Sequence, residues 1–313
     1  MGMSAWKRAG VSLTAVAVVA GVAGCQDGDG AKKAADAPVR GHAQGQEAVT
    51  KVIRAAYLKT ADARSAKVRM SLSMPAAVEG GGGIELTGIQ GWNPGVMDIT
   101  VKGSMLGAAG PGAPEQTRMI LLDDALYMDV GAKQAAEMDG KRWMKLDLEA
   151  AAQVGGGKGL QKQMTGGLEN MNQDPAQQLA LLLKSPDLKH LGAEKVDGTE
   201  AQHYKGTLTF EDMLDANEAY DDLIPAKDRE TVIAGAKKAG IEGYDTELWV
   251  DEDGYPVKMA VGMTTPQGTM SMTAHYSDYG TRAAVQAPPA KDTVDLFAML
   301  KDLGGGSSGA GRS

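Results

Sequence analysis

Hydrophobic positions along the chain change their period several times, and each change marks an element. Over Glu47–Ala63, Val49, Val52, Ile53, Ala56 and Tyr57 recur at helical spacing, which predicts an amphipathic first helix. The period then drops to two. Val68, Met70, Leu72 and Met74 alternate with polar residues, as expected of a strand with one dry and one wet face. Short alternating runs follow at Ile84–Trp92, Val96–Lys102, Gln116–Leu122, Leu126–Val130 and Arg142–Leu146, separated by Gly, Pro or Asp turns, so a meander is expected. Alternation fades between Leu148 and Pro186, where Gly155–Gly159 and Gly166-Gly167 predict loops and Ala176–Lys184 a short helix after Asp174-Pro175.

Strands return at Leu188–Val196 and Gln202–Phe210, joined through Asp197-Gly198. Glu211–Lys238 is expected to be helical with a break at Pro225, its acidic residues early and Lys237-Lys238 late, as the helix dipole favours. Three further strands, Tyr244–Asp251, Val257–Thr264 and Thr269–Tyr276, are bounded by Asp253-Gly254-Tyr255-Pro256 and Pro266-Gln267-Gly268, which predict two hairpins. Beyond Pro288-Pro289, Thr293–Leu303 is expected to form a last helix, and the Gly/Ser-rich stretch 304–313 a disordered tail. The class is α+β: a curled antiparallel sheet of about ten strands, a half-barrel, with helices covering its concave face.

The sharpest local motif lies ahead of this domain. Lys7 and Arg8 precede an uncharged apolar run, Val11–Val22, that ends in Val22-Ala23-Gly24-Cys25. The run is shorter than the roughly 20 apolar residues that a membrane span needs, so it predicts a secretory signal peptide. The Val-Ala-Gly-Cys pattern resembles the bacterial lipobox. That resemblance implies cleavage between Gly24 and Cys25, a diacylglyceryl thioether on the Cys25 sulfur and an acylated amine. One acyl chain holds a membrane only marginally, at about 0.8 kcal/mol per buried methylene, whereas two or more anchor stably.

Four segments result: 1–24 as signal peptide, 25–45 as lipidated tether, 46–303 as the domain and 304–313 as tail. Removing the leader takes the formal charge from −8 to −10, which argues against nucleic-acid binding. Cys25 is the only cysteine, so no disulfide or thiolate metal site is available.

Candidate chemistry is sparse. No hydrolase elbow, P-loop or zinc signature occurs, and His42, His190, His203 and His275 lack ligand spacing. Asp251-Glu252-Asp253-Gly254 predicts a hairpin turn in preference to a calcium loop, whose remaining ligand spacing is missing. No cofactor, metal or catalytic residue is expected. Methionine is abundant, with 18 residues against two phenylalanines. It suits a surface that adapts to variable apolar ligands, and it equally suits a core filled under composition bias. On the first reading Val68, Met70, Leu72 and Met74, Val257, Met259, Val261 and Met263, and Met270 and Met272 would line one concave surface if their three strands curl together.

The run Glu247-Leu248-Trp249-Val250-Asp251-Glu252-Asp253-Gly254-Tyr255-Pro256-Val257-Lys258, followed by Tyr276-Ser277-Asp278-Tyr279-Gly280 and Ala287-Pro288, resembles the actinobacterial LolA-like lipoproteins of the LppX and LprG group. The layout agrees over about residues 46 to 290. The resemblance implies a half-barrel enclosing an apolar cavity for acyl chains, and carriage of lipids or lipidated molecules across an aqueous gap from the outer face of the cytoplasmic membrane. Glycine insertions and the acidic stretch Glu211–Asp222 depart from that pattern and leave the ligand open. The alternative is an envelope interaction or sensor lipoprotein with a closed core that presents its acidic helix to a protein partner.

Overall fold

The computed structural model describes residues 39–78, 81–109, 114–147, 150, 175–216, 226–241, 243–281 and 284–299. The lipobox, Cys25, the tether up to residue 38, the glycine loops between 151 and 174, residues 217–225 and the tail lie outside them. From Arg40 onward the chain forms one compact unit.

Helix α1 spans Val39–Ala63 and begins eight residues before the expected Glu47. The first residues, assigned to the tether by composition, follow Pro38, which is tolerated ahead of a first turn, and include the helix formers Arg40, Ala43, Gln44 and Gln46. Val49, Ile53 and Ala56 are buried on one side of α1, as their spacing requires.

Twelve strands follow: β1 Ser65–Met74, β2 Gly82–Gly91, β3 Val96–Gly103, β4 Gln116–Leu122, β5 Ala125–Asp129, β6 Trp143–Asp147, β7 Lys189–Val196, β8 Thr199–Thr209, β9 Gly243–Asp251, β10 Pro256–Thr265, β11 Gly268–Ser277 and β12 Thr293–Asp295. They form one open, curled, mostly antiparallel sheet in the order β12-β6-β5-β4-β3-β2-β1-β11-β10-β9-β8-β7. Two meanders, β1 to β6 and β7 to β11, meet where β1 pairs with β11 from Lys67↔Ser277 to Ser73↔Ser271.

Between the strands the described residues include four shorter helices: α2 Gly131–Glu137, α3 Pro175–Leu182, α4 Phe210–Ala216 and α5 Ala226–Lys238. The pattern of alternation did not mark α2, whose Ala132, Lys133, Gln134, Ala135 and Ala136 signal helix by propensity alone. The expected helix over Thr293–Leu303 is corrected at its start. Thr293–Asp295 are extended and pair in parallel with Trp143–Lys145, and helical residues begin only at Leu296. The β-branched Thr293 and Val294 favour a strand once the open edge of β6 is within reach.

The main core lies between the sheet and α1 and α3. It gathers Val49, Ile53 and Ala56 from α1, Leu179 and Leu182 from α3, and Val68, Tyr204, Leu248, Val250, Met259, Ala274 and Tyr276 from the strands. Trp92 closes one end of it, donating Nε1–H to the Thr60 carbonyl at 3.2 Å. Tyr279 packs edge-on to Trp92 at 6.4 Å and stacks on Tyr255 at 4.5 Å.

Asp187, just after α3, ties that helix to β8. It accepts from the Ser185 hydroxyl and the Thr207 amide, both at 2.7 Å. Burial works to raise its pKa, but these bonds outweigh burial and hold the carboxyl below its usual value.

Ile53→Ala leaves a cavity at the centre of this core and is expected to cost about 2–5 kcal/mol, read as a lower urea midpoint at unchanged denaturant slope. Asp187→Asn is expected to be less stable than wild type at pH 7. A carboxylate with a lowered native pKa stabilises the fold above its unfolded value, and that contribution is lost as the pH falls through the native value. The difference between the two urea midpoints should therefore shrink below about pH 4.

Candidate functional site: the methionine face of the sheet

Cross-strand register decides which side chains share a face. Because β1 lies beside β11 and β11 beside β10, Leu72, Met272 and Val261 form one row, Met70, Ala274 and Met259 a second, and Met270 and Met263 a third. Nine of the ten candidate lining residues, Val68, Met70, Leu72, Met74, Met259, Val261, Met263, Met270 and Met272, are thereby brought to the face against which α1 packs.

Val257 is the exception. A bulge separates Pro256↔Val250 from Lys258↔Trp249, and the extra residue is Val257. It packs with Val196, Ala201 and Trp249 on the opposite face. A bulge sets two residues against one, so strict alternation placed Val257 on the wrong side.

The same face continues across strands that alternation did not connect to the candidates. One row runs Val68, Gly88, Ile99, Met119, Met128, Met144 and Val294, from β1 through β6 to β12. Met97, Leu121, Leu126 and Leu146 form another. On β1 to β6 and β9 to β12 this face carries no Asp, Glu, Lys, Arg or His. The signal for Met119, Met128 and Met144 was in the sequence, since each stands on an apolar alternation, but which strands would be neighbours was not.

Burial divides the face lengthwise. Val68, Met259, Ala274 and Tyr276 are sealed beneath α1 and α3. Met70, Leu72, Met74, Val261, Met263, Met270 and Met272, at the other end of the same strands, are only half-buried, as are Met119, Met128 and Met144. Leu86, Met97, Ile99 and Val101 form a second core cluster beside them, with Leu106 resting on it. Flexible thioethers that are half-covered across six strands can re-pack around an apolar guest without breaking a polar contact.

The other face carries the charged side chains of these strands, many of them in cross-strand pairs, beside the apolar cluster around Trp249. Arg118 grips Asp98 with two bonds of 2.7 and 2.6 Å, Lys102 meets Glu85, and Lys145 lies between Asp147 and Asp295. His203 stacks on Trp249 at 4.1 Å with Nε2 2.8 Å from Glu247. Burial raises the Glu247 pKa, but hydrogen bonds from Lys205 and His203 outweigh it and leave the carboxyl below its usual value. Asp251-Glu252-Asp253-Gly254 is a hairpin turn, with the Tyr255 amide donating to Asp251 Oδ1 at 2.8 Å. Among the described residues, no cluster of three His, Cys, Asp or Glu could hold a metal, and no helix is long and apolar enough to cross a membrane.

No family model matches the chain. An uncharacterised 31.2 kDa protein of Streptomyces griseus, encoded between rplA and rplJ, is 31% identical over 259 residues, covering 80% of each chain. A Streptomyces coelicolor protein classed provisionally as a lipoprotein is 28% identical over 266 residues, 82% of this chain and 77% of that one. Among solved structures, the Mycobacterium tuberculosis lipoprotein LppX is similar at 12% identity and a TM-score of 0.44, over 77% of this chain and 99% of LppX. LprF of Mycobacterium bovis follows at 13% and 0.45, over 78% and 98%.

If the half-buried end of the face is accessible, dilute hydrogen peroxide should oxidise Met70, Met74, Met263, Met270 and Met272 well before Met97 and Met259. Peptide mapping by mass spectrometry reads the order. Equal rates across both groups would show that the division by burial does not hold in solution.

Proposed function

Because this chain belongs to the family of the 31.2 kDa Streptomyces griseus protein, we propose that it is a lipid-anchored extracytoplasmic lipoprotein that binds acyl lipid, or a lipidated molecule, on the methionine face of its sheet. The observation that carries this reading is that face: wide, free of Asp, Glu, Lys, Arg and His on β1 to β6 and β9 to β12, and only half-buried along one end. A folded chain has no reason of stability to leave so many apolar side chains half-covered, since each buried methylene is worth about 0.8 kcal/mol. An acyl chain laid along the rows of Met70, Leu72, Met270 and Met272 would complete their burial.

The work is physical, with no bond made or broken. Acyl chains leave the bilayer and lie on thioethers and aliphatic side chains, and apolar burial offsets their exposure to water. The aromatic plug of Trp92, Tyr279 and Tyr255 at the α1 end limits how far a chain can advance. The lipobox supports the address, with Gly24 and Cys25 as the cleavage pair and Cys25 as the anchor at the outer face of the cytoplasmic membrane. The provisional classing of the Streptomyces coelicolor relative as a lipoprotein agrees with it. Carriage of the ligand between membranes or partners is the role that such a tethered binding face fits.

Native mass spectrometry with organic extraction, on chain produced in a lipid-containing host, tests the reading. Stoichiometric acyl lipid is expected on wild type and on Ser73→Asp, whose exposed side chain is on the opposite face of β1, and severalfold less on Met272→Asp. A clean apo mass, repeated after incubation with membrane lipids, would overturn lipid binding and favour an envelope interaction module with a closed core. Equal loss in both variants would overturn the assignment of the face.

A further inference from the structure

The polar face holds a cleft of about 1070 Å³ that acyl binding leaves unused. Its floor is Lys67 and Arg69 of β1, Thr87 of β2, Asp98 and Thr100 of β3, and His275 and Ser277 of β11, with Asp98 held by Arg118. The tip of the β7–β8 hairpin, Val196, Asp197 and Thr199, forms a wall with Val257, and Ala284 lines it as well. The volume is at the upper end of the range for small-molecule sites and far exceeds that of a single ion.

Register places the cations. Lys258, His275, Arg69, Thr87, Thr100 and Arg118 are successive partners across six strands, so one row of the floor carries positive or protonatable groups at both ends and at its middle. Lys67 lies two residues from Arg69, on the same side of β1. At the ends the charges are engaged: Lys258 lies over the Trp249 ring at 4.0 Å and Arg118 holds Asp98 in a fork. At the middle, Arg69 Nη2 at 2.8 Å and His275 Nδ1 at 2.7 Å converge on one oxygen, Asp197 Oδ2.

Asp197 reaches them from a turn, with φ of 48° followed by Gly198 at 89°. It lies far away in the chain from both partners. Its carboxylate is a tethered anion seated on two donors that belong to adjacent strands. The Arg69 and Asp197 side chains remain 60% and 58% exposed, so solvent and solutes can reach the seat.

We propose that this cleft is a binding site for a phosphate ester carried on a hydroxyl-bearing scaffold, and that Asp197 is the internal occupant its phosphate displaces. A carboxylate offers one oxygen to both donors, whereas a tetrahedral phosphate offers separate oxygens to Arg69 and His275 and a third toward Lys67, which pairs with Asp278 at 2.8 Å on an exposed edge of the seat. The hydroxyls of Thr87, Thr100, Thr199 and Ser277 surround the seat and suit a polyol. The source of the ester is either a phospholipid headgroup, glycerol phosphate on a diacylglycerol, or a soluble polyol phosphate.

Isothermal titration of the full chain carrying Cys25→Ser, with glycerol 3-phosphate as probe and glycerol as control, tests the site. Wild type is expected to bind the ester and not glycerol. Asp197→Asn, which removes the competing charge, is expected to bind about tenfold more tightly, a gain of about 1.4 kcal/mol. Arg69→Ala is expected to lose binding. Both residues are exposed, and unchanged circular dichroism spectra and thermal midpoints would establish that the variants fold.

Co-sedimentation with phosphatidylglycerol vesicles, against phosphatidylcholine vesicles, identifies the source. Binding that depends on Arg69 supports the site in either arm, assigning a headgroup if it appears with vesicles and a free ester if it appears only with the soluble probe. Binding unaffected by both substitutions, or no binding by wild type and Asp197→Asn in either arm, overturns the proposal.

Discussion

The pairing of β1 with β11 holds the molecule together. It joins residues about two hundred positions apart in the chain through seven registered pairs, and without it the two meanders would be separate sheets with exposed edges. Helix α1 leads directly into β1, so Ile53 and Ala56 come down on the seam and pack on Val68, Ala274 and Tyr276 from both sides of it. Further bonds fasten the turn after β11 to the same place. The Gly280 amide donates to the Ser65 carbonyl, and Lys67 pairs with Asp278. Closing so long a loop costs entropy before any contact rewards it, so this seam is the part of the fold expected to form late.

Once the seam is set, the alternation of each strand sorts the whole sheet into two surfaces. One surface receives α1 and α3 and is apolar from β6 to β9. The other carries cross-strand ion pairs whose individual contribution is small, since most of them are exposed. Their arrangement still matters for what can approach. A row across six strands that includes Lys258, Arg69 and Arg118, with Asp98 and Asp197 answering the two arginines, is a surface where charge is available for exchange, while the methionine face has none to offer. Two kinds of ligand could therefore use one sheet without competing, because the backbone layer separates them.

Much of this was legible from periodicity. Every strand from β1 to β11 was foreseen to within a few residues because alternation and Gly, Asp or Pro turns act locally. The local signals failed where a partner distant in sequence decided the outcome. Thr293–Asp295 became a strand because β6 had a free edge, and Val257 changed faces because a bulge absorbed one residue beside Trp249. The start of α1 was missed for a different reason: a polar segment with glycines resembles a tether until its helix formers are weighed against it. Of the candidate face, the alternating residues were visible and their neighbours on β4 to β6 were not. The polar cleft could not have been read at all, since nothing near Asp197-Gly198 points to Arg69 or His275.

The row through Val68, Gly88 and Ile99 carries the remaining step. Gly88 is flanked on its own strand by Leu86 and Gln90 on the same face, and a side chain there would be expected from the pattern. A Cβ at this position would collide with the Asp98 carbonyl oxygen and approach Ile99 Cα to 2.8 Å. The backbones of β2 and β3 are thus closer than any larger residue permits, in the middle of a sheet of twelve strands. Sheets this wide curl or split, and a glycine in a strand interior is where a tight bend is tolerated. Gly88 stands in its row between Val68, sealed under α1, and the half-buried methionines of β4 to β6. The pairing nevertheless runs unbroken through Gly88 into β3 and β4, so Met119, Met128 and Met144 stay on the same apolar face as Met70 and Met272.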